Sequence, residues 1–176
     1  MTTSILLAGF GGQGILFAGK FLAYQGLFED KKISWLPSYG PEMRGGTANC
    51  NVIISDDEIG SPIIATPDVL LVMNRPSFDK YVKTVAPGGK IFVDSSLIDR
   101  ESERRDVELY YVPATAMARE MGVPTLANMI LTGKLVKETG LVAFDRIEPA
   151  LRKVIPEKHA DMIEINLSAI KKGFEF

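Results

Sequence analysis

Cysteine and histidine are almost missing from this chain. Cys50 is the only cysteine and His159 the only histidine. One thiol cannot make an intrachain disulfide, a Cys-based zinc site or an iron–sulfur cluster. One imidazole leaves a Ser-His-Asp triad or a His-based metal site with a single candidate, in a region with no other signal. An excess of positive charge is missing too, since the formal net charge is −2. No basic field is available to hold nucleic acid. No apolar run approaches the roughly 20 residues that a membrane span needs. The first residues, Met1-Thr2-Thr3-Ser4-Ile5, lack the charged start and apolar core of a signal peptide, so a cytoplasmic protein is expected.

What remains is an ordinary soluble composition, 46% hydrophobic and 24% charged over 176 residues. That length suits a single domain spanning 1–176. Ser4 to Ala8 reads as a buried strand that ends in glycine, and a helix follows with Gly19 and Gly26 seven apart on one face. These glycines would let the helix lie close to a sheet, at some cost in helix propensity. Ile33 to Leu36 reads as a second strand. Thr47 to Ile54 alternates loosely, Asp56-Asp57 signals a turn, and Glu58 to Gly60 is expected to return as a hairpin arm. Val69 to Met73, Lys90 to Asp94 and Glu108 to Val112 read as further strands.

Between and after those strands the pattern is helical. Ser77 to Val85 and Ala114 to Glu120 are two helices. A third starts at Pro124 and ends near Gly140. Asp145 is expected to cap a fourth, up to Val154. Pro156 is expected to open the last, with Gly173 just past its end. The alternation indicates a three-layer α/β/α fold with a mainly parallel sheet, mixed with an antiparallel hairpin around 47–60. If the strands are parallel, every distinctive segment gathers at the rim of their carboxyl ends, where open α/β sheets bind ligands.

Two segments on that rim stand out. Gly9-Phe10-Gly11-Gly12-Gln13-Gly14 satisfies G-x-G-x-x-G between a strand and a helix, the context in which glycine amides cradle phosphate. A dinucleotide site would also require an acid near the end of the second strand. That strand ends Trp35-Leu36-Pro37-Ser38, and Glu29 and Asp30 come before it. Three readings stay open: a stand-alone NAD(P)-binding or other nucleotide-dependent enzyme, a turn for another phosphate-bearing ligand, or a tight turn alone. Gln13 is the polar side chain at the helix start, placed to meet a ligand or a partner.

The second segment is Ser38-Tyr39-Gly40-Pro41-Glu42-Met43-Arg44-Gly45-Gly46. Glycines and a proline make it a shaped loop, and such loops carry function more often than the elements they join. Glu42 and Arg44 read either as a surface ion pair of little worth or as a guanidinium held ready for a carboxylate or phosphate. Tyr39 offers a flat face with a polar tip, and Met43 a soft contact. Asn74, Ser95 and Ser96 follow other strands and read as caps or rim contacts. Asn128 is placed to hydrogen-bond a rim loop.

Together these two segments resemble the gamma subunit of 2-oxoacid:ferredoxin oxidoreductases. The resemblance extends to Met73-Asn74-Arg75-Pro76-Ser77, Asp94-Ser95-Ser96-Leu97-Ile98 and Ala127-Asn128-Met129. It implies an α/β domain covering the coenzyme A side of a shared active site. Gly11, Gly12, Gln13, Gly14, Ser38 to Gly46, Asn74, Ser95 and Ser96 would form its rim, with no catalytic residue or metal ligand assigned to this chain. It implies thiamine diphosphate with magnesium, and iron–sulfur clusters, on partner subunits. Those partners would be an alpha subunit, a thiamine-binding beta subunit and a small ferredoxin-like delta subunit, with coenzyme A as co-substrate and ferredoxin as acceptor. Pyruvate members tend to read Phe-Gly-Pro-Glu-Arg-Arg-Gly-Ala-Pro at the second segment. Tyr39, Met43, Gly46 and Thr47 depart from that, and look more like the 2-oxoglutarate members first and the branched-chain 2-oxoacid members second.

Overall fold

Continuous apolar runs such as Val69-Leu70-Leu71-Val72 need cover on both faces, and the fold supplies it. The computed structural model describes residues 1–38 and 46–176. Six strands form one mixed sheet: β1 (Thr2–Phe10), β2 (Lys32–Ser38), β3 (Thr47–Ser55), β4 (Val69–Val72), β5 (Lys90–Asp94) and β6 (Glu108–Val112). Their order across the sheet is β2-β3-β1-β4-β5-β6. β4 runs parallel to β1, β5 to β4 and β6 to β5, whereas β3 is antiparallel to both β1 and β2. All strands but β3 therefore point the same way, and their carboxyl ends share one rim. Phe10 lies opposite Thr47 and Ser38 opposite Asn49, so β3 starts at that rim.

Side chains alternate across the pleat, and the two faces have different cover. Ile5, Leu7, Cys50, Val52, Ile54, Leu71 and Phe92 pack against α1 (Ile15–Phe28), α3 (Ala114–Glu120), α4 (Ala127–Thr139), α5 (Ile147–Val154) and α6 (Met162–Glu175). Leu6, Ala8, Leu70, Val72, Ile91 and Val93 pack against Phe78 of α2 (Arg75–Tyr81) and against Val85 and Ile98. The expected three-layer α/β/α fold is present, with one thick and one thin helical layer. Among the described residues no helix is long and apolar enough to cross a membrane.

The antiparallel part of the sheet expected around 47–60 is β3, but Glu58 to Gly60 does not return as an arm. Just past Ser55, Asp56 pairs instead with the N-terminal ammonium, at 2.6 Å, and with Lys31. β3 pairs with strands that precede it instead. The expected helix start at Asp145 is a short 3-10 turn over Phe144–Arg146, and neither it nor α5 gains a side-chain cap. Pro156 likewise leads into a 3-10 turn, Glu157–His159, and α6 begins at Met162.

Gly173 lies inside α6, not past its end. A Cβ there would overlap the carbonyl of Ile130, and one at Gly133 would overlap that of Ile170. The glycine that resembles a stop signal is the close-approach point of α4 and α6. The expectation for α1 holds: a Cβ at Gly19 would overlap Cys50 Sγ, and one at Gly26 would overlap Ile33.

Candidate functional site

The shared rim brings the first glycine segment to the end of β1. Gly9 and Phe10 still belong to that strand, so the turn proper is Gly11 to Gly14. The Gln13 N–H donates to Phe10 O at 3.2 Å and closes it. Gly12 has φ 94° and Gly14 φ 73°, left-handed values that glycine adopts without the Cβ penalty. α1 starts immediately after Gly14, with no side-chain cap and no acidic residue in its first turn. A helix start of this kind leaves backbone N–H groups unpaired and favours negative charge.

Gln13 is a strut. Its Oε1 accepts from the Phe10 N–H at 2.6 Å, and its Nε2 donates to Met73 O at 2.9 Å. The amide thus ties the ends of β1 and β4 together. Both ends of the Gln13 amide, expected to be placed to meet a ligand or a partner, are engaged within the chain by those two bonds.

The second glycine segment touches the first where its described end begins. The Gly11 N–H donates to Gly46 O at 3.0 Å. Ser38 is exposed at the end of β2 and Gly46 is half-buried just before β3. Tyr39, Gly40, Pro41, Glu42, Met43, Arg44 and Gly45 lie outside the described residues. A cavity of about 290 Å³ opens beside the turn, lined by Phe10, Gly11, Gly12, Ile15, Ser38 and Thr47 among others. Its lining combines the glycine turn, the apolar side chains of Phe10, Ile15, Leu16 and Phe17, and Ser38 and Thr47, next to a helix start that favours an anionic group. β2 ends at Ser38 with no carboxylate of its own, so the ribose-binding acid of a dinucleotide site is missing from that strand end.

Asn74, Ser95 and Ser96 reach the same rim but do not line this cavity. Asn74 is buried, and its Oδ1 accepts from the Ser77 N–H at 2.9 Å, capping α2. Ser96 Oγ accepts from the Ala116 N–H at 3.0 Å, serving the first turn of α3. The Ser95 N–H donates to Val112 O at 2.9 Å. Asp94, which the sequence reading passed over, is fully buried and accepts from Thr115 Oγ1 at 2.6 Å and from the Ser96 N–H at 3.1 Å. A carboxylate ending an apolar strand was the available signal.

Cys50 is buried behind α1, and burial pushes its thiol up to about 12. It is a packing residue. His159 is exposed on the 3-10 turn before α6. Among the described residues no group of three or more His, Cys, Asp and Glu side chains is arranged to hold a metal ion.

The family described as pyruvate ferredoxin/flavodoxin oxidoreductase matches residues 4–176. The ketoisovalerate oxidoreductase subunit VorA of Methanothermobacter thermautotrophicus is 39% identical over 98% of this chain, which spans 36% of that subunit. The 2-oxoglutarate synthase subunit KorC of Methanocaldococcus jannaschii is 36% identical over 99% of this chain and 94% of its own length. The crystal structure of the gamma subunit of a keto/oxoacid ferredoxin oxidoreductase from Geobacter sulfurreducens superposes with a TM-score of 0.87 at 30% identity. That likeness covers 99% of this chain and 95% of that one.

Proposed function

This chain belongs to the pyruvate ferredoxin/flavodoxin oxidoreductase family, and we propose that it is the gamma-type subunit of a 2-oxoacid:ferredoxin oxidoreductase. Residues 1–176 make up one such domain. The assembly converts a 2-oxoacid, coenzyme A and two oxidised ferredoxins to acyl-CoA, carbon dioxide, two reduced ferredoxins and a proton. 2-Oxoglutarate is the first candidate substrate and a branched-chain 2-oxoacid the second. A relative matched along 94% of its own length is a 2-oxoglutarate synthase subunit, and the second segment departs from the pyruvate pattern at Tyr39, Met43, Gly46 and Thr47.

The observation that carries the reading is the joining of the two glycine segments by the Gly11–Gly46 bond beside a cavity lined by the glycine turn. Thiamine diphosphate on a beta subunit supplies the decarboxylation chemistry, and iron–sulfur clusters on partners take the electrons. This chain contributes binding and orientation. The amides of Gly12, Gly14 and Ile15 face the anionic part of coenzyme A, and Phe10 and Thr47 line the path of its apolar arm. The role proposed for Arg44, which lies outside the described residues, is to bind a carboxylate or phosphate. Alpha and delta subunits complete the assembly in the cytoplasm.

The test is copurification on a tagged chain from its native source. The expected complex contains a thiamine-binding subunit and reduces ferredoxin only with both a 2-oxoacid and coenzyme A. A chain that purifies without such a partner and binds NADH or NADPH saturably at micromolar concentration would overturn the reading for the nucleotide-enzyme alternative.

A further inference from the structure

Asn128 is the second residue of α4 and is 3% exposed. Its Nδ2 donates to Gly14 O at 3.0 Å, across 114 positions of sequence. The same carbonyl accepts the first bond of α1, from the Ala18 N–H at 3.0 Å. Asn128 Oδ1 is buried and has no partner among the described residues. A Cβ at Gly14 would overlap Asn128 Nδ2, so the glycine and the asparagine fit as a pair.

The energetics do not favour asparagine for stability. The one bond it makes is a modest net gain, and a buried amide oxygen without a partner is a cost of the same order or larger. Leu126, Ile155 and Met162 line a cavity together with Asn128, so leucine would find apolar neighbours at the position. The use of the asparagine is therefore directional. A trans peptide is planar, so its C=O and N–H point in opposite directions. Fixing Gly14 O with a second donor turns the Ile15 N–H the opposite way, and Gly14 and Ile15 both line the cavity beside the glycine turn.

We infer that Asn128 is a positioning residue for the glycine turn. It holds the Gly14–Ile15 peptide plane so that the first amide of α1 faces the anionic part of the ligand. The inference rests on the reading of that cavity as the coenzyme A side.

The test compares the wild-type complex with Asn128→Leu, and with Asn128→Ala should leucine not be accommodated. The melting temperature is expected to stay level or rise in Asn128→Leu. The KM for coenzyme A is expected to rise about tenfold, with kcat and the KM for the 2-oxoacid within about twofold. Amide exchange at Ala18 is expected to accelerate about tenfold. Asn128→His, which offers a ring N–H in place of the amide, should restore part of the coenzyme A affinity. A lower melting temperature with unchanged KM and unchanged Ala18 exchange would make Asn128 a structural residue and overturn the inference. A wild-type complex without coenzyme A-dependent turnover would overturn the functional reading instead, and exchange at Ala18 would still decide the role of Asn128.

Discussion

The Gly11 N–H donates to the carbonyl of Gly46 at 3.0 Å. That bond ties the turn after β1 to the residue from which the chain enters β3. Because β3 runs antiparallel between β2 and β1, both glycine segments meet at one corner of the sheet. A parallel crossover between β2 and a neighbour would have carried the second segment to its far end.

Gly14→Ala should harm this corner more than Gly12→Ala. Both glycines have positive φ, but among the described residues a Cβ would collide at Gly14, with Asn128, and would meet nothing at Gly12. The left-handed conformation costs a non-glycine residue about 1–2 kcal/mol. For a chain of this size each kcal/mol lowers the melting temperature by about 2–4 °C. Gly12→Ala should show that loss alone. Gly14→Ala should show a larger loss, together with weaker coenzyme A binding. Thermal denaturation of the two variants checks the ranking.

The α4–α6 seam predicts a purely structural pair. Gly133→Ala and Gly173→Ala each push a methyl group into the opposing backbone, and overpacking of this kind costs about 1–3 kcal/mol. The two sites share one interface, so the double variant should not be the sum of the singles. Denaturant titration would show both effects, and the KM for coenzyme A should not change in the folded fraction.

Cys50 should be inert while the chain is folded. Burial pushes its thiol up to about 12, so almost no thiolate exists at pH 8. The raised value means that the thiol's contribution to stability is complete below its unfolded pKa, near 9, and is lost as the pH climbs through about 12. A thiol reagent at pH 8 should react only as fast as the chain opens, and the rate should rise with denaturant.

Arg44→Ala and Arg100→Ala separate a rim function from a surface charge. Arg100 forms an exposed ion pair with Asp79 at 3.0 Å, and such pairs contribute about 0–1 kcal/mol. Its loss should leave kcat/KM within about twofold. Loss of Arg44, if it forms a bidentate contact to substrate or coenzyme A, should lower kcat/KM at least tenfold, or about 1.4 kcal/mol. Steady-state kinetics of the two complexes would measure the contrast.

Much of the fold was legible because the strands are short apolar runs bounded by glycine, proline or charge. Lys90–Asp94 and Glu108–Val112 fall where the pattern put them. The pairing of β3 was not legible, since alternation gives a face and not a neighbour. Gly173 misled because a glycine near a helix end resembles a stop, and its true use depends on Ile130 in another helix. At the site, the glycine turn and the rim were readable from strand order. The roles within them were less so. Gln13 and Asn128 are both polar residues near a helix start, and only their partners, Met73 and Gly14, show that each is a strut.

The central claim is that this chain works as one subunit of a coenzyme A-dependent 2-oxoacid:ferredoxin oxidoreductase. Ferredoxin reduction by the complex purified through this chain tests it most directly. The account predicts reduction with 2-oxoglutarate and coenzyme A together and none when either is left out. Reduction that ignores coenzyme A, or a complex that reduces no ferredoxin with any 2-oxoacid, would contradict it.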